Sequence, residues 1–85
     1  MIDKQKLLDL VVDLAVEVAT EAEWEIPFAV SRGMYSLIAN SMIEIHLGDE
    51  RHYSVSDTEI SLLATTTFLS VQNMSLFRLL MDDWE

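Results

Sequence analysis

Near the start of the chain, apolar residues fall at Leu7, Leu10, Val11, Leu14 and Val18. This is the i, i+3, i+4, i+7, i+11 spacing that lines one face of an α-helix. Leu8, Val12, Ala15 and Ala19 widen that face, as expected of a helix that touches more than one neighbour. Asp3 stands ahead of the run and can cap it, so the spacing predicts a first helix over residues 4 to 23. Glu23-Trp24-Glu25-Ile26-Pro27 interrupts the pattern. Proline disfavours helical geometry in the residue before it and suits the first turn of a new helix. A second helix is predicted from near Pro27, or from Ser31, through Met34, Leu37, Ile38, Met42 and Ile45, with Gly48 as its stop. Gly33 inside this span costs about 1 kcal/mol relative to alanine and would mark a close helix crossing.

Ile43 to Leu47 and His52 to Val55 also alternate apolar and polar, with Gly48 to Arg51 as a turn between them. That makes an α+β fold with a short hairpin near residues 43–55 the alternative. Helix is preferred, because a lone two-stranded ribbon is weak and no third strand is visible. Ser56-Asp57-Thr58-Glu59 is a capping box that opens a third helix. Its apolar seam reads Ile60, Leu63, Thr67, Val71, Met74, Phe77, Met81 and Trp84. Unbroken, this helix would be about 40 Å long and would outreach the other two, so a break is predicted near Asn73 to Ser75. An unbroken helix would instead carry its tail into a second subunit. The expected fold class is all-α, a small three- or four-helix antiparallel bundle, forming a single domain over residues 1–85.

Composition sharpens this picture. A chain of 85 residues encloses a modest core, yet 51% of it is hydrophobic. No cysteine is present, which excludes disulfides and thiolate metal sites. Packing and self-association remain as sources of stability, and a homodimer is expected. Five basic against fifteen acidic residues give a net charge of −10. Such a field repels nucleic acid and anionic membranes and favours a basic protein surface as partner. The start, Met1 to Lys6 followed by Asp9, Asp13 and Glu17, lacks the uninterrupted apolar stretch of a signal peptide. The richest apolar window, Phe28 to Leu47, contains Arg32, Glu44 and His46. No window is expected to reach the roughly 18 uncharged apolar residues of a membrane span, so the expected setting is cytoplasmic, without membrane contact.

Candidate chemistry is sparse. Asp9, Asp13, Glu17 and Glu21 are spaced by four and share one side of the first helix, where like charges cost roughly 0.2–0.5 kcal/mol per pair. No basic residue within helical reach neutralises Asp13 to Glu21. The stripe is either a docking face for a basic partner, an imitation of a phosphate row, or a solvated helix face. Glu44, His46, Asp49, Glu50 and His52 gather both histidines with three acids. Their spacing matches no metal motif, so a polar turn is expected there, with no metal or cofactor. No glycines frame a serine as a nucleophile elbow and no glycine-rich phosphate loop occurs; the chain is not expected to be an enzyme. Trp24 and Trp84 lie beside acids at segment ends and are either interface anchors or, for Trp24, a clamp on the turn between the first two helices and, for Trp84, a cover for the bundle end.

Asn73-Met74-Ser75-Leu76-Phe77 resembles the short linear motif by which bacterial proteins dock on the replication sliding clamp, with Asn73 where that motif carries glutamine. The resemblance makes Phe77 a partner-binding candidate. Against it, Met74 and Phe77 also fit the apolar helical seam, which places them in the core. The candidate partner-binding residues are therefore Asp9, Asp13, Glu17, Glu21, Trp24, Phe77 and Trp84. The expected function is a non-catalytic protein–protein interaction module, an adaptor, inhibitor or small regulator, working as a homodimer. The alternative is an acidic nucleic-acid mimic that occupies a DNA- or RNA-binding protein; a small metal- or ligand-binding enzyme subunit comes last.

Overall fold

Asp3 accepts a hydrogen bond from the Lys6 amide at 2.8 Å, satisfying one of the free N–H groups at the start of a helix. From that cap α1 runs over Lys4–Glu21. The computed structural model describes residues 1–21 and 32–83. Trp24, Pro27, the predicted end of the first helix at residue 23 and the predicted start of the second lie outside the described residues, as does Trp84. Helix α2 covers Arg32–Leu47 and stops where the sequence placed its stop. Gly48 adopts φ +84 and its amide closes the last turn on the Glu44 carbonyl at 3.0 Å, the left-handed exit that glycine makes without strain.

The capping box is formed. The Glu59 amide donates to Ser56 Oγ at 3.2 Å and the Ser56 amide donates back to Glu59 Oε1 at 3.2 Å. It starts α3, which continues without interruption over Asp57–Asp83. The break predicted near Asn73 to Ser75 is absent. Between Asp57 and Asp83 there is neither glycine nor proline, and a mismatch in length with its neighbours does not by itself end a helix.

The hairpin alternative over residues 43–55 is also not realised, since Ile43 to Leu47 belong to α2. A different two-residue ladder exists. Strand β1 (Ile2–Asp3) pairs antiparallel with β2 (His52–Tyr53), Ile2 opposite Tyr53 and Asp3 opposite His52. The Lys4 amide extends it by donating to the Arg51 carbonyl at 3.1 Å. Tyr53 anchors this corner: its ring is buried, its hydroxyl donates to the Gly48 carbonyl at 2.8 Å, and it accepts the Glu50 amide at 3.0 Å.

The ladder gathers the start of α1, the end of α2 and the start of α3 at one end, so α2 runs opposite to both other helices. All three helices pack on one another, giving the all-α three-helix bundle expected, with a minimal two-stranded ladder added. The core is built from Leu7, Val11, Val12 and Ala15 of α1, Tyr35, Ile38, Ala39 and Ile43 of α2, and Leu63, Ala64, Phe68 and Val71 of α3. Thr67 is also enclosed, and its hydroxyl donates to the Leu63 carbonyl at 2.8 Å, which removes the penalty of burying it. Among the described residues, every buried side-chain nitrogen or oxygen has a hydrogen-bond partner.

The lengths are unequal. At about 1.5 Å per residue, the 18 residues of α1 and 16 of α2 span roughly 27 and 24 Å, against roughly 40 Å for the 27 residues of α3. The molecule measures 47 × 25 × 17 Å. It is a thin, elongated slab, and a slab leaves much of its apolar content on the outside.

Candidate interaction surface

The outside of α3 carries most of that excess, with Leu37 and Ile45 of α2 exposed as well. Its inner face, at Leu63, Ala64, Thr67, Phe68, Val71 and Ser75, is buried. Leu62, Leu69, Leu76 and Leu80 are exposed and fall on the opposite side of the helix, because steps of seven and four residues return to nearly the same angle. Met74, Phe77 and Met81 are exposed as well, and here the sequence reading is corrected. The predicted seam from Ile60 to Val71 is packed, but from Met74 onward it is not. Met74, Phe77 and Met81 keep the angular position of Leu63 and Thr67, yet they lie beyond the roughly 24 Å that α2 covers. Phe77 is thus a surface residue with 64% of its area accessible. Ser75 turns inward while its neighbours point outward, so Asn73 to Phe77 form a helical turn and are not displayed as an extended segment.

From Ile60 to Phe77 no residue is charged. Among the described residues α3 holds the one stretch, Asp57–Arg78, long and apolar enough by length and composition to cross a membrane, which corrects the expectations that no window reaches such a length and that Phe28 to Leu47 is the richest. Its inner face packs on α1 and α2.

An open apolar groove of about 350 Å³ lies between the end of α2 and the start of α3, lined by His46, Leu47, Glu59, Leu62, Leu63 and Thr66. Its ionisable groups are His46 and Glu59. His52 lies on β2 and is not among the residues that line this groove. Among the described residues no group of three or more histidines and acids is arranged to hold a metal. Glu44 and Asp49 instead hold the Lys4 ammonium, each at 2.8 Å. Those two hydrogen bonds push the Lys4 pKa above its ordinary value.

Asp9, Asp13, Glu17 and Glu21 are all exposed on α1. The expected unrelieved repulsion is partly relieved from another helix: Arg32 of α2 pairs with Asp13, a contact that no spacing within α1 could reveal. Gln5 donates to Asp9 at 3.0 Å. Among the described residues, no ion pair reaches Glu17 or Glu21. Asp13 and Glu17 are joined by Asp57 of α3 along a second open groove of about 350 Å³, floored by Leu10, Leu14 and Ile60. Asp57 was not among the expected site residues, since its position in the capping box accounts for its presence locally. Of the remaining candidates, Phe77 is on the surface, and Trp24 and Trp84 lie outside the described residues. Compared with known protein families, curated proteins and solved structures, the chain matches none.

Proposed function

We propose that the chain is a non-catalytic protein–protein interaction module that works as a homodimer, with the outer face of α3 as its principal contact surface. One observation carries this reading. An unbroken α3 buries one face in its own bundle and leaves leucines along the other, together with Met74, Phe77 and Met81 past the reach of α2. An apolar strip of that extent on a soluble domain marks an interaction site. The net charge of −10 favours a cytoplasmic protein that keeps away from nucleic acid and anionic lipid. Sedimentation at micromolar concentration tests the proposal: the expected mass is about twice 9.7 kDa, and a monomer at every concentration overturns it.

A second reading rests on the acidic groove. Asp13, Glu17 and Asp57 come from two helices and line one surface, which suits a basic protein partner or the mimicry of a nucleic-acid backbone. Displacement of DNA from a basic DNA-binding protein, strong at low salt and lost at high salt, is the expected result under this reading. Absence of displacement at low salt rejects it.

A further inference from the structure

Leu62, Thr66, Leu69, Asn73, Leu76 and Leu80 follow one another along α3 at alternating steps of four and three residues. That is the a/d spacing of a two-stranded coiled coil, with Leu62, Leu69 and Leu76 at d and Thr66, Asn73 and Leu80 at a. The seam runs straight along the side of α3 opposite Ala64, Phe68 and Val71, and its four leucines are exposed. We propose that this seam closes on the same seam of a second copy of the chain. The two α3 helices run parallel about a twofold axis, and Asn73 meets the partner's Asn73. This inference rests on the homodimer reading above and adds its surface, its register and its direction.

Three observations favour a second copy over any other occupant. Acidic residues crowd α1 and both ends of α3, Glu59 standing just before Leu62, but from Leu62 to Phe77 the seam and its flanking residues Thr65, Ser70 and Phe77 carry no charge. Two copies, each at −10, therefore have one long face, from Leu62 to Phe77, on which they meet without like charges side by side. As far as Ser75 the helix is already held by its own bundle, so pairing over that length needs little further ordering. Thr66 engages its hydroxyl with the Leu62 carbonyl at 2.8 Å and so offers its methyl group to the seam.

Asn73 supplies the direction. In a parallel pair the two Asn73 amides lie opposite each other and hydrogen-bond across the axis. In an antiparallel pair centred on the seam, a positions face d positions, so Asn73 would face the partner's Leu69 and bury an amide without a partner. A lipid surface fits less well. Interfacial helices carry basic residues on the polar face, whereas this chain has a net charge of −10 and an amide in the middle of its apolar strip.

The absence of native cysteine makes single-cysteine crosslinking clean. Leu69→Cys, under oxidising glutathione at micromolar concentration, is expected to form a covalent dimer, since facing d positions lie within disulfide range. Asp9→Cys, on exposed α1, should remain uncrosslinked. In a mixture of Leu62→Cys and Leu80→Cys chains, a parallel seam gives 62–62 and 80–80 products, and Asn73→Leu should add 62–80 products by removing the preference for direction. Leu69→Lys with Leu76→Lys should halve the native mass and leave helicity by circular dichroism unchanged. A wild-type dimer without the Leu69→Cys crosslink, or one that survives the double lysine variant, overturns the seam and leaves the homodimer reading intact. Mainly 62–80 products before the Asn73 change overturn the parallel register. A wild-type chain that is monomeric at all concentrations, or that partitions onto neutral lipid vesicles as a monomer, overturns both.

Discussion

Leu63 and Phe77 stand about four turns apart on the same side of α3, and they have opposite fates: Leu63 is 5% exposed and Phe77 64%. The difference lies in the reach of α2, and it gives a direct comparison. Leu63→Ala is expected to cost about 2–5 kcal/mol in urea unfolding, the range for emptying a packed leucine site. Phe77→Ala should change the stability of the dilute protein by less than about 0.5 kcal/mol. Equal costs would mean that Phe77 is packed and that α3 does not outreach its neighbours.

The reciprocal bonds between Ser56 and Glu59 predict that Ser56→Ala lowers stability by about 1 kcal/mol. Asp3→Ala, which removes the acceptor of the Lys6 amide, should cost a similar amount at the start of α1. Thermal unfolding midpoints check both, and an unchanged midpoint for either variant would show that its helix does not depend on that cap.

Gly48 has open space where a Cβ would stand and a φ of +84. A substitution there meets no steric obstacle from neighbours, only the backbone strain of a left-handed residue. Gly48→Ala should therefore cost about 1–2 kcal/mol. Gly48→Asn should cost less, because asparagine tolerates that conformation better. Equal losses for the two would point to a cause other than φ.

Lys4 holds its proton more tightly in the folded chain, through hydrogen bonds to Asp49 and then Glu44. Burial likewise raises the pKa of the Tyr35 phenol. In both cases the folded state binds more protons than the unfolded state once pH passes the unfolded value, so stability must fall as pH rises. The contribution is complete at neutral pH and declines from about pH 10 upward. Lys4→Met should lower stability at pH 7 and flatten this alkaline decline, with Tyr35→Phe removing the remainder. Identical slopes in the wild type and the double variant between pH 9 and 12 would show that other groups control it.

Arg32 changes what is expected of the acidic stripe. From α1 alone, neutralising Asp13 and Glu17 would both relieve repulsion. With Asp13 paired to Arg32, the two separate. Glu17→Gln should stabilise by a few tenths of a kcal/mol, while Asp13→Asn gives up an exposed ion pair and should be neutral to slightly destabilising. Added salt should raise the wild-type melting temperature and affect Glu17→Gln less. A wild-type melting temperature insensitive to salt would mean that the stripe carries no net repulsion.

Much of the architecture was legible because local signals agreed with the fold. Asp3, Gly48 and the Ser56 box mark helix boundaries through hydrogen bonds within a few residues of themselves, and sequence displays such bonds directly. Three features were not legible, each for its own reason. The Ile2–Tyr53 pairing joins distant segments, and two alternating residues are too few to announce a strand. The Asp13–Arg32 pair depends on how two helices lie together. The fate of Met74, Phe77 and Met81 depends on the relative lengths of α2 and α3, while α3 has apolar residues on two opposite faces, so periodicity alone could not tell which face the bundle would cover.

The ladder of Ile2–Asp3 with His52–Tyr53 also has a temporal meaning. About fifty residues of chain lie between its strands, so closing it costs more chain entropy than any helix or turn in the molecule. Two rungs return little for that cost, and they belong at the end of folding, after the helices have met. Changes at Ile2 should then hasten unfolding and leave the refolding rate almost untouched. Ile2 and Asp3 are then expected to act as a latch, closed last and opened first, and the amide of Tyr53 should exchange with solvent hydrogen well before those of Ile43 or Val71.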